Sequence, residues 1–595
     1  MKGPLYTVLT LLLALIVALA AASPAAAAAP ARPAVTGGRV SLTIARDVVQ
    51  GSHDGYYSFE ALRYVPPNVT PVVVHVATMA LFNNSGMVPY NATVYIPPGN
   101  YSLILAQVSI NESGGPQYDR ALYIYVNGTP IFWGSTQEML NSTAEVDLTL
   151  FENLLQGPVR FQIVLPNYIA PRIGITGHYN LNMTLYLYPG PRPAGLPNYF
   201  IPLFVNSMGY SHLFLTAEDD YAEEQVQIPN GTYRAWLLLY TKGSAYDEFW
   251  YTNEPPVRYV KVLYDGRLAG VVNPFETVYT GGINLFWWKP VTSINTLAFH
   301  MPYFVDLTPM LAYGLRANIS VSVADLRESS QVMGVPGGEF QWTLAGVLVL
   351  WVNSSNPMIS ATPVTYRALY HDTGPQLFLP GVSGLYFQEG ASYSIVAESL
   401  LTFEHGEELV SVRQWGTTTV NQMMNYAGTF AYDEIDELFD EDSTATGYGA
   451  YNLTIEGNWP AALYYDFYMV PITSPTVYPF NATFAQNGSM YLDPSYAASY
   501  GWRGFDFTTS QSYSLVAVGG FSGILEFISP TGAVVIGLTS NNGYTVKQLD
   551  ATVLYNGHGF TEESILEGVQ NSTINMAGYL VKNVTSYELI GGGLS

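Results

Sequence analysis

Four carboxylates stand where they could do chemistry. Asp119 and Glu138 lie within a stretch that runs from Gln117 to Glu138, while Asp247 and Glu248 lie side by side among Tyr246, Phe249, Trp250 and Tyr251. Low dielectric beside aromatic rings pushes a carboxyl pKa upward, toward values useful for general acid–base work. Arg120, next to Asp119, is always charged and could hold an oxyanion or orient a substrate. Trp133, Phe249, Trp250, Tyr251, Trp287 and Trp288 could stack on sugar faces, although each ring could equally fill a core. The plainer account of Asp119 and Arg120 is a turn cap beside a surface charge. What is missing narrows the field. With no cysteine there is no thiol catalysis, no Cys-ligated zinc and no disulfide. There is no His-Glu-X-X-His, no phosphate-cradling Gly-X-X-X-X-Gly-Lys-Ser/Thr and no Gly-X-Ser-X-Gly elbow. His300, in Ala-Phe-His-Met-Pro, reads as a core histidine rather than a ligand. Carboxylate chemistry remains, with neither cofactor nor metal expected.

The element that must position Asp119 and Arg120 is a hairpin. Leu122, Ile124 and Val126 alternate with Tyr123 and Tyr125, the period of a strand with two different faces. Asn127-Gly128 turns a tight hairpin, since both tolerate positive φ, and Pro130 to Trp133 is the return strand. Neighbouring Cβ atoms on a strand point to opposite faces, so Asp119 and Arg120 should divide their labour. Around this hairpin short strands are expected at Val40 to Ala45, Pro71 to Ala80, Ala92 to Ile96, Tyr101 to Ile110, Ala144 to Leu150, Val159 to Leu165 and Tyr179 to Tyr188. Regular strands without amphipathic helices between them indicate an antiparallel sandwich. The Pro- and Gly-rich segment from Pro189 to Asn198 is a linker. A second β-rich block runs from Tyr199 to Asn353, with strands at Tyr233 to Tyr240 and Trp342 to Val352. Further strands are expected at Tyr393 to Thr402, Tyr451 to Ile455, Tyr464 to Val470, Tyr513 to Val518 and Ala533 to Leu538. The acidic run from Tyr432 to Asp442 could form a short helix with Ile435, Leu438 and Phe439 on one face, and otherwise is a solvated charged surface. A metal site there is a lesser reading. The fold expected is all-β: a signal peptide over 1–29, a leader over 30–39, sandwiches over 40–190 and 199–353, and a C-terminal β-rich accessory region over 360–595.

Composition sets the compartment. Only 11% of residues are charged and the net charge is −24, which argues against nucleic acid or an anionic membrane as partner, because both need a basic face. A surface that is polar yet poor in charge, with acids dominating, suits an acidic medium in which carboxylates would be partly neutral. Lys2 precedes an apolar run from Leu5 to Ala22 and the small-residue tract Ser23 to Pro30, the pattern of a signal peptide cleaved between Ala22 and Ala29. The alternative is an uncleaved anchor, which would then be the one contact with a membrane. Asn-X-Ser/Thr sequons recur from Asn68 to Asn583. A secreted or cell-surface glycoprotein is expected.

Successive motifs then carry a resemblance. Tyr118-Asp119-Arg120, Asn127-Gly128, Gly134-Ser135-Thr136-Gln137-Glu138 and Thr176-Gly177-His178-Tyr179 resemble those of the peptide-N-glycosidase A family. So do Asp247 to Asn253, Tyr279-Thr280-Gly281-Gly282-Ile283-Asn284 and Asp306-Leu307-Thr308-Pro309, in unbroken order from about Pro71 to Val352. The resemblance implies a secreted, acid-active amidase that releases N-linked glycans from glycopeptides and glycoproteins. A more distant likeness to peptide-N-glycosidase F implies two jelly-roll sandwiches with the active site in the cleft between them. It puts the principal acid/base at Asp119, with Arg120 beside it, and a second essential carboxylate at Glu248. That family's third carboxylate falls near Pro166-Asn167, where no acid stands: either Asn167 takes its place in binding the sugar, or the likeness fails at this point. Glu138, Asp247, Trp250, Trp287 and Trp288 would complete the sugar site. Two rival readings are a carboxylate-pair glycoside hydrolase and a non-catalytic glycan-binding or surface-layer β-sandwich protein.

Overall fold

The computed structural model describes residues 39–46, 66–115, 117, 120–136, 141–171, 175–249, 257–274, 302–378, 384–425, 430–458, 460–471, 480–492, 495–502, 505–527, 534–555, 558–574 and 580–590. The expected signal segment, most of the leader, and Asp119, Glu138, Trp250, Trp287, Trp288 and His300 lie outside the described residues. The fold is all-β. Two four-stranded antiparallel sheets make the first sandwich. One has the order Val72–Phe82, His178–Pro189, Tyr101–Ser113, Asn141–Asp147; the other has Tyr90–Ile96, Gly157–Val164, Ala121–Val126, Thr129–Ser135. Strict alternation turns Tyr179, Leu181, Met183, Leu185 and Leu187 inward on His178–Pro189. They meet Leu122, Ile124, Val126, Phe161 and Ile163 of the facing sheet in one apolar core.

In the second sandwich, one sheet has the order Tyr199–Leu203, Phe340–Val352, Thr232–Ala245, Tyr303–Asp306, with Leu213–Thr216 also paired to Phe340–Val352. The other has Tyr221–Gln227, Arg316–Val323, Val260–Tyr264, Arg267–Val272. Phe340–Val352 is almost wholly buried, as expected of a strand covered on both faces.

The remaining described strands form one long antiparallel sheet whose strands reach 23 residues, in Phe505–Phe527, well beyond the usual length of about 3–10. Arg39–Arg46 forms as expected, but pairs with Leu580–Ile590 of this sheet rather than joining the first sandwich. Two further expectations are corrected. The strand expected over Ala144 to Leu150 ends at Asp147, whose side chain accepts from the Thr149 amide at 2.7 Å and opens the 3-10 turn Thr149–Leu154. The acidic run is no helix but part of the strand Phe430–Gly447, paired with Gly406–Asn425. Ile435, Glu437, Glu441, Ser443 and Ala445 turn inward, while Asp436, Leu438 and Asp442 alternate outward. Period two, enforced by neighbouring strands on both sides, overrides the i, i+3, i+4 spacing of its apolar residues. Among the described residues no helix is long and apolar enough to cross a membrane.

Candidate active site

The hairpin forms as its residues dictate. Asn127 and Gly128 take φ of 50° and 85°, and the register Leu122↔Gly134, Tyr123↔Trp133, Ile124↔Phe132 shifts by one residue to admit Pro130 opposite Tyr125. Its tip docks on the second sandwich. Ser211 N donates to Gly128 O at 3.0 Å, and a Cβ on Gly128 would lie 2.9 Å from Gly209 O, so the turn needs glycine for both its angle and its clearance.

Both faces of the hairpin are covered. One joins the first sandwich's core. The other carries Tyr123, Tyr125 and Trp133 against Tyr210, His212, Tyr240 and Ala345 of the second sandwich. Tyr125 stacks on Tyr210 with ring centroids 4.7 Å apart, and its hydroxyl bonds His212 Nδ1 at 3.0 Å. Trp133 packs between Tyr123 at 4.4 Å and Tyr240 at 5.8 Å. At 5% exposure it cements the two sandwiches, which is the core-filling alternative for that residue. Burial holds the His212 imidazole down to about 3, so it stays neutral.

The mouth of the hairpin is closed by reciprocal bonds. Arg120 N donates to Thr136 Oγ1 at 2.7 Å, Thr136 N to Arg120 O at 2.8 Å, and Ser135 Oγ to Arg120 O at 3.0 Å. The Arg120 guanidinium lies 4.2 Å over the Tyr168 ring and donates to Gln117 Oε1 at 2.6 Å. Gln117 in turn donates to Tyr168 O at 2.8 Å and Gly177 O at 3.1 Å. Asn167 belongs to this framework. Its Nδ2 donates to Phe82 O and to Gly177 O, both at 3.1 Å, and its side chain is buried. It ties its own segment to the end of the strand Val72–Phe82 and to Gly177, so sugar binding through its amide donors gives way to a positioning role.

One residue of this region escaped the sequence reading. Glu112 shares strand parity with Ile104, Ala106, Val108 and Ile110, and that inward alternation was the available signal. Burial raises its carboxyl to about 9, although the Gln117 backbone amide and the Arg120 guanidinium both pull it down. A neutral carboxylic acid therefore sits beneath Arg120 at neutral and acidic pH.

Across the junction, Thr232–Ala245 ends at Ala245, φ 56°, and the 3-10 turn Tyr246–Phe249 follows. The two adjacent acids part there. Asp247 is completely buried: Arg258 donates from Nε to Oδ2 at 2.7 Å and from its second nitrogen to Oδ1 at 3.1 Å, and the Trp342 indole also donates to Oδ2. It anchors the turn and is not presented to a sugar, against the expectation. Glu248 is half-buried. Its charge, together with Tyr210 and above all burial, drives the Tyr123 phenol well above its ordinary pKa, while Thr343 opposes the rise through a hydrogen bond. Glu248 therefore lies within electrostatic range of Tyr123, a residue of the hairpin in the other sandwich.

Comparison with known proteins follows the same lines. A curated relative, peptide-N4-(N-acetyl-beta-glucosaminyl)asparagine amidase A of Prunus dulcis, is 29% identical over 233 residues, which cover 33% of this chain and 40% of the relative's length. Among solved structures, PNGase F, a glycosylasparaginase from Flavobacterium meningosepticum, aligns over 48% of this chain and 97% of its own, with 13% identity and a TM-score of 0.34. PNGF-II aligns over 48% and 66%, with 16% identity and a TM-score of 0.34. The family model for peptide N-acetyl-beta-D-glucosaminyl asparaginase amidase A matches residues 66–368, half of the chain, and the protein belongs to that family.

Proposed function

We propose that this protein is a secreted, acid-active amidase that cleaves the β-aspartylglucosaminyl bond of N-glycosylated peptides and proteins. The glycan would leave as the glycosylamine and the asparagine would become aspartate. One observation carries the reading within the family: the mouth of the hairpin and Glu248 belong to different sandwiches that meet at Tyr123. Arg120, at the start of that hairpin, has its guanidinium held by Gln117 and Tyr168.

Asp119 takes a proton from a water as the oxygen attacks the side-chain carbonyl carbon of the glycosylated asparagine. Backbone donors and the fixed Arg120 charge stabilise the tetrahedral oxyanion. Collapse breaks the C–N bond, Asp119 returns the proton to the departing nitrogen, and the carbonyl carbon keeps the water oxygen as a new carboxylate. Glu248 holds the water or the first sugar from the opposite side. Secretion and an acidic medium fit the signal-like N-terminus and the many buried carboxyls held protonated, Glu112 among them.

The test is incubation of the purified full chain with a glycopeptide, followed by mass analysis. Deamidation leaves a glycan-free peptide carrying aspartate. A peptide that retains a sugar would instead identify a glycoside hydrolase, and binding without a mass change a lectin-like protein. Asp119→Asn and Glu248→Gln should each lower the rate about 10²–10⁴-fold at an unchanged melting temperature. An Asp119→Asn variant with most of its activity would remove the assignment.

A further inference from the structure

We infer that Asp325, Asp372 and Glu389 form a calcium site that fastens the long C-terminal sheet to the second sandwich. The three come from different places: Asp325 precedes the helix Leu326–Met333, Asp372 ends the strand Met358–Asp372, and Glu389 lies in Gly384–Phe403. One carboxylate oxygen from each lies within 4.8 Å of the other two. Two oxygens bound to a single Ca²⁺ at about 2.4 Å can be no more than about 4.8 Å apart, so the spacing suits one shared ion. The smaller Mg²⁺ would need the group to contract and become rigidly octahedral. The donors are all hard carboxylate oxygens, with no imidazole or sulfur, which selects calcium over zinc or copper.

An acidic cluster alone would prove little, and the independent observation is Glu389. It is 1% exposed, and although Oε2 accepts from Val257 N at 3.2 Å, Oε1 is buried with no hydrogen-bond partner. A carboxylate oxygen left unsatisfied in the interior costs far more than the net gain of a typical hydrogen bond, and here it sits in the group that faces Asp325 and Asp372. Asp325 Oδ2 is likewise buried and without a partner. Asp372 is pre-oriented, its Oδ1 accepting from Gly374 N at 2.9 Å and its Oδ2 from the Tyr370 hydroxyl at 2.6 Å.

The nearby positive charge is already engaged. Arg258 lowers the cost at Asp325 and Glu389, but its guanidinium is bonded to both oxygens of Asp247. The Lys261 ammonium lies over the Tyr370 ring at 4.8 Å. A divalent ion neutralises the group and supplies Glu389 Oε1 with its missing partner. Because Val257 bonds Glu389 and Arg258 holds Asp247, the ion would also brace the segment behind the turn that carries Glu248.

The experiment uses the full chain at pH 7, stripped with a chelator and titrated with Ca²⁺. Wild type should take up one more ion per chain than Glu389→Gln or Asp372→Asn, and its melting temperature should rise by a few degrees in excess Ca²⁺ while theirs does not. Tb³⁺ on wild type alone should show emission sensitised by Tyr370, displaced by Ca²⁺ but not by equimolar Mg²⁺; this holds even if a variant fails to fold. Equal ion uptake by wild type and variants, Tb³⁺ emission that is absent, or displacement by Mg²⁺ as readily as by Ca²⁺ would each overturn the proposal. None of these readouts depends on amidase activity.

Discussion

Replacing Glu437 with glutamine should stabilise this protein at alkaline pH and leave it nearly unchanged at acid pH. Glu437 lies opposite Thr418 in the long sheet and accepts from its hydroxyl at 2.5 Å, while Thr418 is also bonded to Tyr259 of the second sandwich. Burial raises its carboxyl from 4.5 to about 8, with the Thr418 and Asn273 side chains opposing the rise. A carboxyl raised in the folded state contributes stability in full below its unfolded pKa, and that stability is lost as pH climbs through the folded value. The window is therefore pH 4.5 to 8, with the protein firmer on the acid side. At 1.36 kcal/mol per pKa unit the shift corresponds to roughly 5 kcal/mol, an upper bound because interior sites respond as though more polarisable than dry protein. Glutamine reproduces the shape of the protonated acid and cannot ionise. Urea unfolding should thus give matching midpoints for wild type and Glu437→Gln at pH 5, and a variant ahead by about 2–5 kcal/mol at pH 9. Glu441, raised to about 8 on the same inward face, should behave alike. If wild type is firmer at pH 9 than at pH 5, or the two proteins differ equally at both, the reasoning fails.

Two other substitutions test the junction between the sandwiches. Asp247→Asn leaves the buried Arg258 guanidinium without its counterion and should cost about 3–5 kcal/mol by chemical denaturation; a loss below about 1 kcal/mol would show that the pair is not the anchor of the turn. Gly128→Ala places a methyl 2.9 Å from Gly209 O at a φ of 85° and should cost about 1–3 kcal/mol, with proteolysis near the hairpin tip as a second readout. An unchanged midpoint and cleavage pattern would mean that the tip does not dock.

How much of the site was legible follows from what a pattern records. The alternation of Leu122, Ile124 and Val126 with Tyr123 and Tyr125, and the Asn127-Gly128 turn, settled the hairpin from sequence alone, because backbone geometry and turn angles are local. Absence of cysteine settled equally that packing and strand pairing, not disulfides, hold the chain. Period two separates two faces but does not say what covers each. Only the tertiary structure could show that Tyr123, Tyr125 and Trp133 are sealed under the second sandwich, and that Asp247 turns inward to Arg258 while Glu248 remains half-buried near the hairpin. The same limit hid Glu112, Glu437 and Glu441: their parity placed them inward, but a carboxyl in a core is tolerable only where distant strands bury it in protonated form or meet it with donors. Local spacing chose the elements of this protein; the company each face keeps, and with it the charge state of its acids, was decided by long-range packing.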